Sequence, residues 1–143
     1  MSVRSQLSER FCDQVARYRL PPPVYEYRFA LQVGKQHRFD ACWPTYHLAV
    51  ELQGFNCETV KLARGHHQRV VTSGHFSVGQ ITEDCDKLNM AAMLGWTVLW
   101  FTESHLKADQ AMPVLQRVLA MKGWDGNRAA LEPVQTQLAV DPF

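Results

Sequence analysis

The sequence predicts an α/β domain with a mixed central sheet and flanking helices, in the order α-βββ-loop-α-β-α. Residues 24–53 contain three consecutive segments rich in aromatic and branched residues, which is typical of an antiparallel meander. Residues 96–101, WTVLWF, are continuously apolar, as in a strand that is covered on both faces. Apolar residues at helical spacing precede, separate and follow these strands, so helices are expected around one sheet.

The first helix is expected to begin at Ser8, a suitable N-cap, and to run to about Arg19. The prolines of LPPP then end it. Alternation and turn residues predict three strands, over residues 24–31, 37–43 and 46–53. VGKQ forms the first turn, and Pro44 lies in the second.

Residues 54–80 are predicted to form a loop, since they contain four glycines and no sustained period. A segment of this length without clear structure is usually functional or mobile. Within it, VVTSGHFSV is compatible with a short strand. From residue 57 onward the loop has one acid, Glu58, against three Lys or Arg and three His residues, so it is locally positive.

A second helix is expected to begin at Thr82, because the acidic pair that follows suits the positive end of a helix dipole. Gly95 ends this helix, and the apolar strand follows. A last helix is expected from about Gln110 to Met121, with Pro113 tolerated in its first turn.

The composition is that of an ordinary globular protein, with 46% hydrophobic and 20% charged residues. Its length of 143 residues predicts one domain, residues 1–122, and a C-terminal tail, 123–143. No apolar run is long enough to cross a bilayer, and the N-terminus lacks the apolar core of a signal peptide. We therefore expect no membrane contact and a cytoplasmic location.

Charge and cysteine content exclude little. The net charge of +1 neither supports nor rules out nucleic acid as a partner. The four cysteines form no CxxC pair, so reduced and mostly buried thiols are expected.

Two carboxylates interrupt the apolar strands. Asp40 lies in the second strand and Glu51 in the third, and pairing across the Pro44 turn brings them near each other. Neighbouring carboxylates repel, and partial burial makes their ionisation harder still. A divalent cation between them resolves the conflict, and Mg²⁺ is the natural candidate because it takes oxygen ligands and keeps several waters. The alternative is that both point to solvent on an open sheet face.

The pattern of Asp40, ten intervening residues and then Glu51-Leu52-Gln53 resembles the core of the PD-(D/E)XK nucleases. More closely, the chain resembles a family of small phage and prophage endonuclease-like proteins. The matching segments are LPPPVYEYRF, RFDACWPTYHLAVELQG, the glycine- and His/Arg-rich loop, and EDCDKLNMAAMLGWTVLWFT. This resemblance implies a restriction-endonuclease-like core and, for a phage-encoded protein, action in the cytoplasm of the bacterial host.

The resemblance also implies a metal site. Asp40 and Glu51 would bind Mg²⁺, with Mn²⁺ as a substitute, and the backbone carbonyl of Leu52 would be a third ligand. Glu9, on the first helix, resembles the extra helical acid of Holliday-junction resolvases in that superfamily. Glu26 would face the same cleft; alternatively, it is a surface or salt-bridged strand residue.

The chain departs from the family pattern at two positions. Phe39 replaces the proline expected before Asp40, and Gln53 replaces the lysine expected after Glu51. Lys87, on the next helix, would supply the missing cation; alternatively, it is an exposed lysine that pairs with Asp84, three residues earlier on the same helix. Asn89 would be a neighbouring polar contact.

Basic and histidine residues would contact DNA phosphates, which carry affinity without reading bases. They are Arg38, Lys61, Arg64, His66, His67, Arg69 and His75. Alternatively, the loop histidines are simply solvated. A zinc site built from Cys57 and these histidines has no recognised spacing.

The function implied is a Mg²⁺-dependent endonuclease that hydrolyses phosphodiester bonds in DNA. The favoured substrate is branched DNA such as a Holliday junction, as in DNA recombination. Two symmetric cuts predict a C2 homodimer. One alternative is a DNA-binding protein on a nuclease fold that has lost catalysis, which Gln53 keeps open. Another is a nicking endonuclease of the very-short-patch type, which would place loop histidines beside the metal.

Overall fold

The computed structural model describes residues 3–54, 56–73 and 78–126, with backbone alone at 3–5, 56–61 and 68–73. Its α-helices are α1 (Val3–Arg17), α2 (Val78–Met93), α3 (Glu103–Lys107) and α4 (Ala111–Met121). Its strands are β1 (Val24–Arg28), β2 (Arg38–Trp43), β3 (Leu48–Gln53), β4 (Asn56–Lys61), β5 (His67–Ser73) and β6 (Thr97–Thr102). The expected α/β class, with a mixed sheet and flanking helices, is confirmed.

The main sheet has four strands in the order β1-β2-β3-β6. β1, β2 and β3 pair antiparallel, as the meander predicted. β6 pairs parallel with β3, after a crossover that contains α2. A short 3₁₀ turn, Pro44–Tyr46, joins β2 to β3, and His47 closes it in the left-handed region at φ +47°.

One face of the sheet packs against α1, α3 and α4. The strands contribute apolar side chains at alternate positions, because the sheet side-chain period is two. The larger core cluster lies here, and among its members are Phe11, Trp43, Leu48, Val50, Leu52, Phe101, Met112 and Leu115.

The opposite face packs against α2. Its smaller cluster contains buried Phe29, Phe39, Cys42, Ala49 and Ala91, and Trp96 packs against it. The sheet is therefore the middle layer of three, and side chains on the second face point toward α2.

Two side chains fasten the first helix and its proline linker to the rest of the fold. The buried Trp43 indole donates from Nε1 to the carbonyl of Pro21, at 2.7 Å. The buried Gln14 amide donates from Nε2 to the carbonyl of Leu106, also at 2.7 Å. Each contact satisfies a backbone acceptor away from water, where an unpaired group is costly.

The last helix, α4, runs from Ala111 to Met121 as predicted, but the predicted starts of the first two helices were wrong. α1 begins at Val3, so Ser8 lies inside the helix, and α1 ends at Arg17. α2 begins at Val78, and Thr82 is also internal, where its Oγ1 donates to the Val78 carbonyl at 2.8 Å. Ser and Thr hydroxyls bond backbone groups in both settings, so their presence does not by itself fix a cap.

The predicted loop was also wrong over much of its length. β4 and β5 form a two-stranded antiparallel sheet, with Thr59 opposite Arg69 and Lys61 opposite His67. The turn is a short helical segment in which Arg64 takes a left-handed conformation at φ +66°. Because this turn lacks an Asn-Gly or Asp-Gly pair, the usual sequence signal for a hairpin is missing.

Three smaller differences concern the C-terminal half and the thiols. β6 is an edge strand of the main sheet, and Val98 and Phe101 pack on its opposite faces as predicted, but Trp100 is 41% exposed. The short helix α3 was not predicted. Cys12 and Cys85 are exposed, so of the described thiols Cys42 is the buried one.

No helix in the described part of the chain is long and apolar enough to span a membrane. Tail residues 127–143 lie outside the described residues.

Candidate active site

The candidate site lies where β2 and β3 stop pairing. Their register ends at Ala41 opposite Val50, and one further step places Asp40 opposite Glu51. Both carboxylates are buried, at 6% exposure each. The backbone N–H of Leu52 donates to Oδ2 of Asp40 at 2.7 Å, which fixes the Asp40 side chain between the two strands.

A lysine from α2 completes the group. The Nζ of Lys87 forms an ion pair with Oε1 of Glu51. The same ammonium lies 5.9 Å from the centre of the Phe39 ring, within the range of a cation–π contact. Lys87 therefore points from the helix down to the sheet, and it does not form the exposed helical pair with Asp84 that was the alternative.

The pKa of Glu51 is raised from 4.5 to about 8, and burial is the largest cause. The negative charge of Asp40 contributes to this increase, and the positive charge of Lys87 opposes it. The nearby cation therefore offsets only part of the increase in pKa that desolvation and the second carboxylate cause. The raised pKa favours the protonated form of Glu51, and a bound divalent cation would favour the ionised form.

The donor set fits a magnesium ion. Oε1 of Glu51 is buried and paired in charge with Lys87, yet it accepts no hydrogen bond of regular geometry within the described residues. The N–H and C=O of one strand residue point to the same neighbouring strand, so the Leu52 carbonyl also faces β2. Two carboxylates and a carbonyl suit Mg²⁺, which completes its shell with waters.

Glu9 and Glu26 lie further out. Both line an open cavity of about 610 Å³ that Asp40 also reaches, between α1 and β1. Glu26 takes φ +52° at the position opposite Asp40, and its carboxylate lies 3.6 Å from Arg38. Glu26 is therefore both a cleft residue and an ion-paired residue. In the described residues no three His, Cys, Asp or Glu side chains converge on one point, so Glu9 does not join the carboxylate pair directly.

Gln53 lies in a smaller cavity on the α2 side of the sheet. This cavity has a volume of about 50 Å³ and is lined by Glu51, Leu52, Gln53, Asp84, Lys87, Leu88 and Trp100. The volume suits a few waters or a hydrated ion. Asn89 is exposed and does not line it, because residues two apart on a helix point in different directions.

The expected DNA contacts are placed in part. Arg64, His66 and His67 are exposed at the tip of the β4–β5 hairpin, and Arg38 is exposed beside Glu26. The side chains of Lys61 and Arg69, the whole of His75 and the side chain of Cys57 lie outside the described residues. The hypothesis of histidines beside the metal is not met by His66 or His67, neither of which lines either cavity of the site.

Trp100 is the site residue that sequence reasoning missed. Its position in a continuously apolar run predicted a core residue, whereas its ring is half-exposed at the rim of the small cavity. A signal was present in the pattern: an edge strand after a crossover presents alternate residues to a poorly covered face.

No protein-family model, curated protein or solved structure matches this chain.

Proposed function

We propose that the protein is a Mg²⁺-dependent endonuclease that hydrolyses phosphodiester bonds in DNA. One observation carries the proposal: Asp40 and Glu51 are buried opposite each other, with Lys87 against Glu51 and the Leu52 peptide facing them. Burying two acids against each other is unfavourable for folding. Such a pair at the end of a strand ladder is typical of a functional site.

Each residue has a role in this proposal. Asp40, Glu51 and the Leu52 carbonyl hold the ion, whose contribution is to neutralise charge on the scissile phosphate and to acidify water. Gln53 orients the attacking water by hydrogen bonding. Lys87 supplies the positive charge that Gln53 lacks, and this charge stabilises the negative charge that develops on the phosphorane. Glu9, which lines the larger cavity with Asp40, would act on the waters bound to the ion.

Branched DNA, such as a Holliday junction, is the proposed preferred substrate. The net charge of +1 gives little general attraction to duplex, so shape and local contacts have to select the substrate. The exposed cations at the hairpin tip are available for phosphate contacts.

Cleavage of a labelled four-way junction and of plasmid DNA tests the proposal. Wild-type protein with Mg²⁺ or Mn²⁺ is expected to cleave, and Asp40→Asn and Glu51→Gln are expected to lose at least roughly a hundredfold in rate. Asp109→Asn and Glu103→Gln are matched controls, since each removes an ion-paired surface acid that lines neither cavity of the site. Calorimetric titration with Mn²⁺ reports metal binding independently of cleavage.

The results separate the proposal from its rival. Binding of DNA without cleavage by the wild type would favour a DNA-binding protein that has lost catalysis. Equal rates for wild type and both site variants would reject the carboxylate pair as the active site.

A further inference from the structure

We propose that Trp100 forms a base-stacking subsite, where an unpaired nucleobase beside the scissile phosphate lies against the exposed indole ring. The inference rests on the proposed function and adds to it a class of substrate. The DNA presents at least one base that is out of the duplex stack where it is cut. Three features of the structure carry the inference: the exposure of the ring, its position relative to Glu51, and the small polar cavity between them.

Trp100 is the most exposed of the tryptophans that the structure describes. Its side chain is 41% exposed, whereas Trp43 is 3% exposed and donates a hydrogen bond to the proline linker. Trp96 packs against Phe39 with ring centres 4.9 Å apart. Among the described residues no aromatic ring packs against Trp100. A large aromatic face left in water is a surface that a planar ligand can cover.

The ring lies next to the carboxylates. Trp100 is directly in register with Glu51 on the neighbouring parallel strand. In-register residues of paired strands point to the same face, as Ala49 and Val98 do in the core beneath α2. Adjacent strands are roughly 4.8 Å apart, so the indole and the Glu51 side chain are immediate neighbours.

The cavity between Trp100 and Glu51 is large enough for water or a hydrated ion but too small for a nucleobase. At about 50 Å³ it admits waters or a hydrated ion, and it has no room for a base. With a phosphate held at the carboxylates, the adjoining base therefore stays outside the cavity. The outer face of Trp100 is the apolar surface that it meets there.

Stacking on one ring also explains a preference for disrupted DNA. Every base has a π-face, so an aromatic platform binds without reading sequence. Bases within an intact duplex are already stacked on their neighbours and gain nothing from the indole. A strand with an unpaired base gains the full contact.

The test compares Trp100→Leu, which keeps apolar bulk, with Trp100→Phe, which keeps a ring. Met121→Ala is the control, since Met121 is 77% exposed on α4, against the opposite face of the sheet. Affinities are measured with Ca²⁺ replacing Mg²⁺, for a single-stranded oligonucleotide, a junction with unpaired bases and a fully paired duplex. Trp100→Leu is expected to bind the first two about tenfold more weakly, with duplex binding unchanged. Trp100→Phe and Met121→Ala are expected to remain close to wild type. Quenching of tryptophan fluorescence by the single strand is expected to disappear in both Trp100 variants.

Other results overturn the inference. Equal affinity of wild type and Trp100→Leu for the single strand removes the subsite, and so does a change of oligomeric state in Trp100→Leu, which would assign the ring to a subunit interface. The subsite and the nuclease fail separately. Trp100-dependent binding without cleavage keeps the subsite and rejects the enzyme, whereas cleavage with Trp100-independent binding does the reverse. Absence of any DNA binding rejects both.

Discussion

At the scale of single residues, the notable feature is that the cation beside Glu51 comes from a helix rather than from the strand. Gln53 occupies the strand position where the PD-(D/E)XK pattern, which the sequence resembles, has lysine, and Lys87 places its ammonium on Glu51 instead. The electrostatic effect of a lysine depends on the position of its ammonium group and not on the position of its Cα atom. A long lysine side chain can therefore serve the same carboxylate from a different element.

The raised pKa of Glu51 predicts that the stability of the protein depends on pH. The pKa of Glu51 in the folded protein is raised to about 8, above its value of 4.5 in an unfolded chain. The stability that protonated Glu51 contributes is therefore fully present below about pH 4.5 and is lost as pH rises to about 8. In metal-free protein we expect the free energy of unfolding to fall across this window by an amount on the order of a few kcal/mol. Urea denaturation in EDTA at several pH values measures it.

The informative quantity is the difference between wild type and Glu51→Gln, which should be much less dependent on pH in this window. The comparison is needed because burial lowers the pKa of His47, which contributes a dependence of opposite sign in both proteins. Glu103→Gln, at an exposed pair with Lys107, should keep the wild-type profile. A wild-type profile in Glu51→Gln would mean that Glu51 is ionised throughout.

The site was predictable from the sequence to the extent that strand geometry determines it. Two strands joined by a short turn bring Asp40 opposite Glu51. Alternation places Glu51 on the same face as Ala49, but it is interrupted in β2, where Phe39 and Cys42 pack in the same cluster. The ion pair of Lys87 and the exposure of Trp100 were not predictable in that way. Both depend on how α2 and β6 sit against the sheet, which no local pattern specifies.

At the scale of elements, α3 shows what a short motif can determine. The N–H of Thr102 donates to Nδ1 of His105 at 3.0 Å, and the N–H of His105 lies 3.5 Å from Oγ1 of Thr102. This is a capping box in which histidine takes the place usually held by Glu or Gln. The sequence T-E-S-H contains this motif. The helix was not predicted, because five residues are too few to show the apolar spacing of a helix.

The hydrogen bond that holds the proline linker predicts a loss of stability when its donor is removed. Trp43→Phe keeps most of the apolar volume and removes the donor to the buried Pro21 carbonyl. An unsatisfied buried acceptor costs about 1–3 kcal/mol, so chemical denaturation should show a loss of that size. Met121→Ala, at an exposed position, should change stability by less than about 0.5 kcal/mol. An unchanged midpoint in Trp43→Phe would show that water replaces the indole donor.

At the scale of the whole molecule, the charges near the proposed site are distributed unevenly. Four acidic residues are spread around the lining of the larger cavity: Glu9, Asp13, Glu26 and Asp40. A phosphate cannot approach four carboxyl groups without cations to offset them. If the protein binds DNA as proposed, contact at this cavity would depend on a divalent ion, whereas contact at the hairpin tip would not.

We also expect the protein to form a dimer, because the described residues contain one such site while resolution of a four-way junction takes two cuts. A C2 dimer places two copies of the site in the antiparallel relation that symmetric cuts require. Light scattering after gel filtration should give twice the mass of one chain. A cruciform plasmid should be linearised by paired cuts within one encounter rather than nicked first. Mixing wild type with Glu51→Gln provides the control, since mixed dimers should nick without linearising. A monomer that cuts linear duplex as fast as junctions would remove the junction preference and leave a general nuclease.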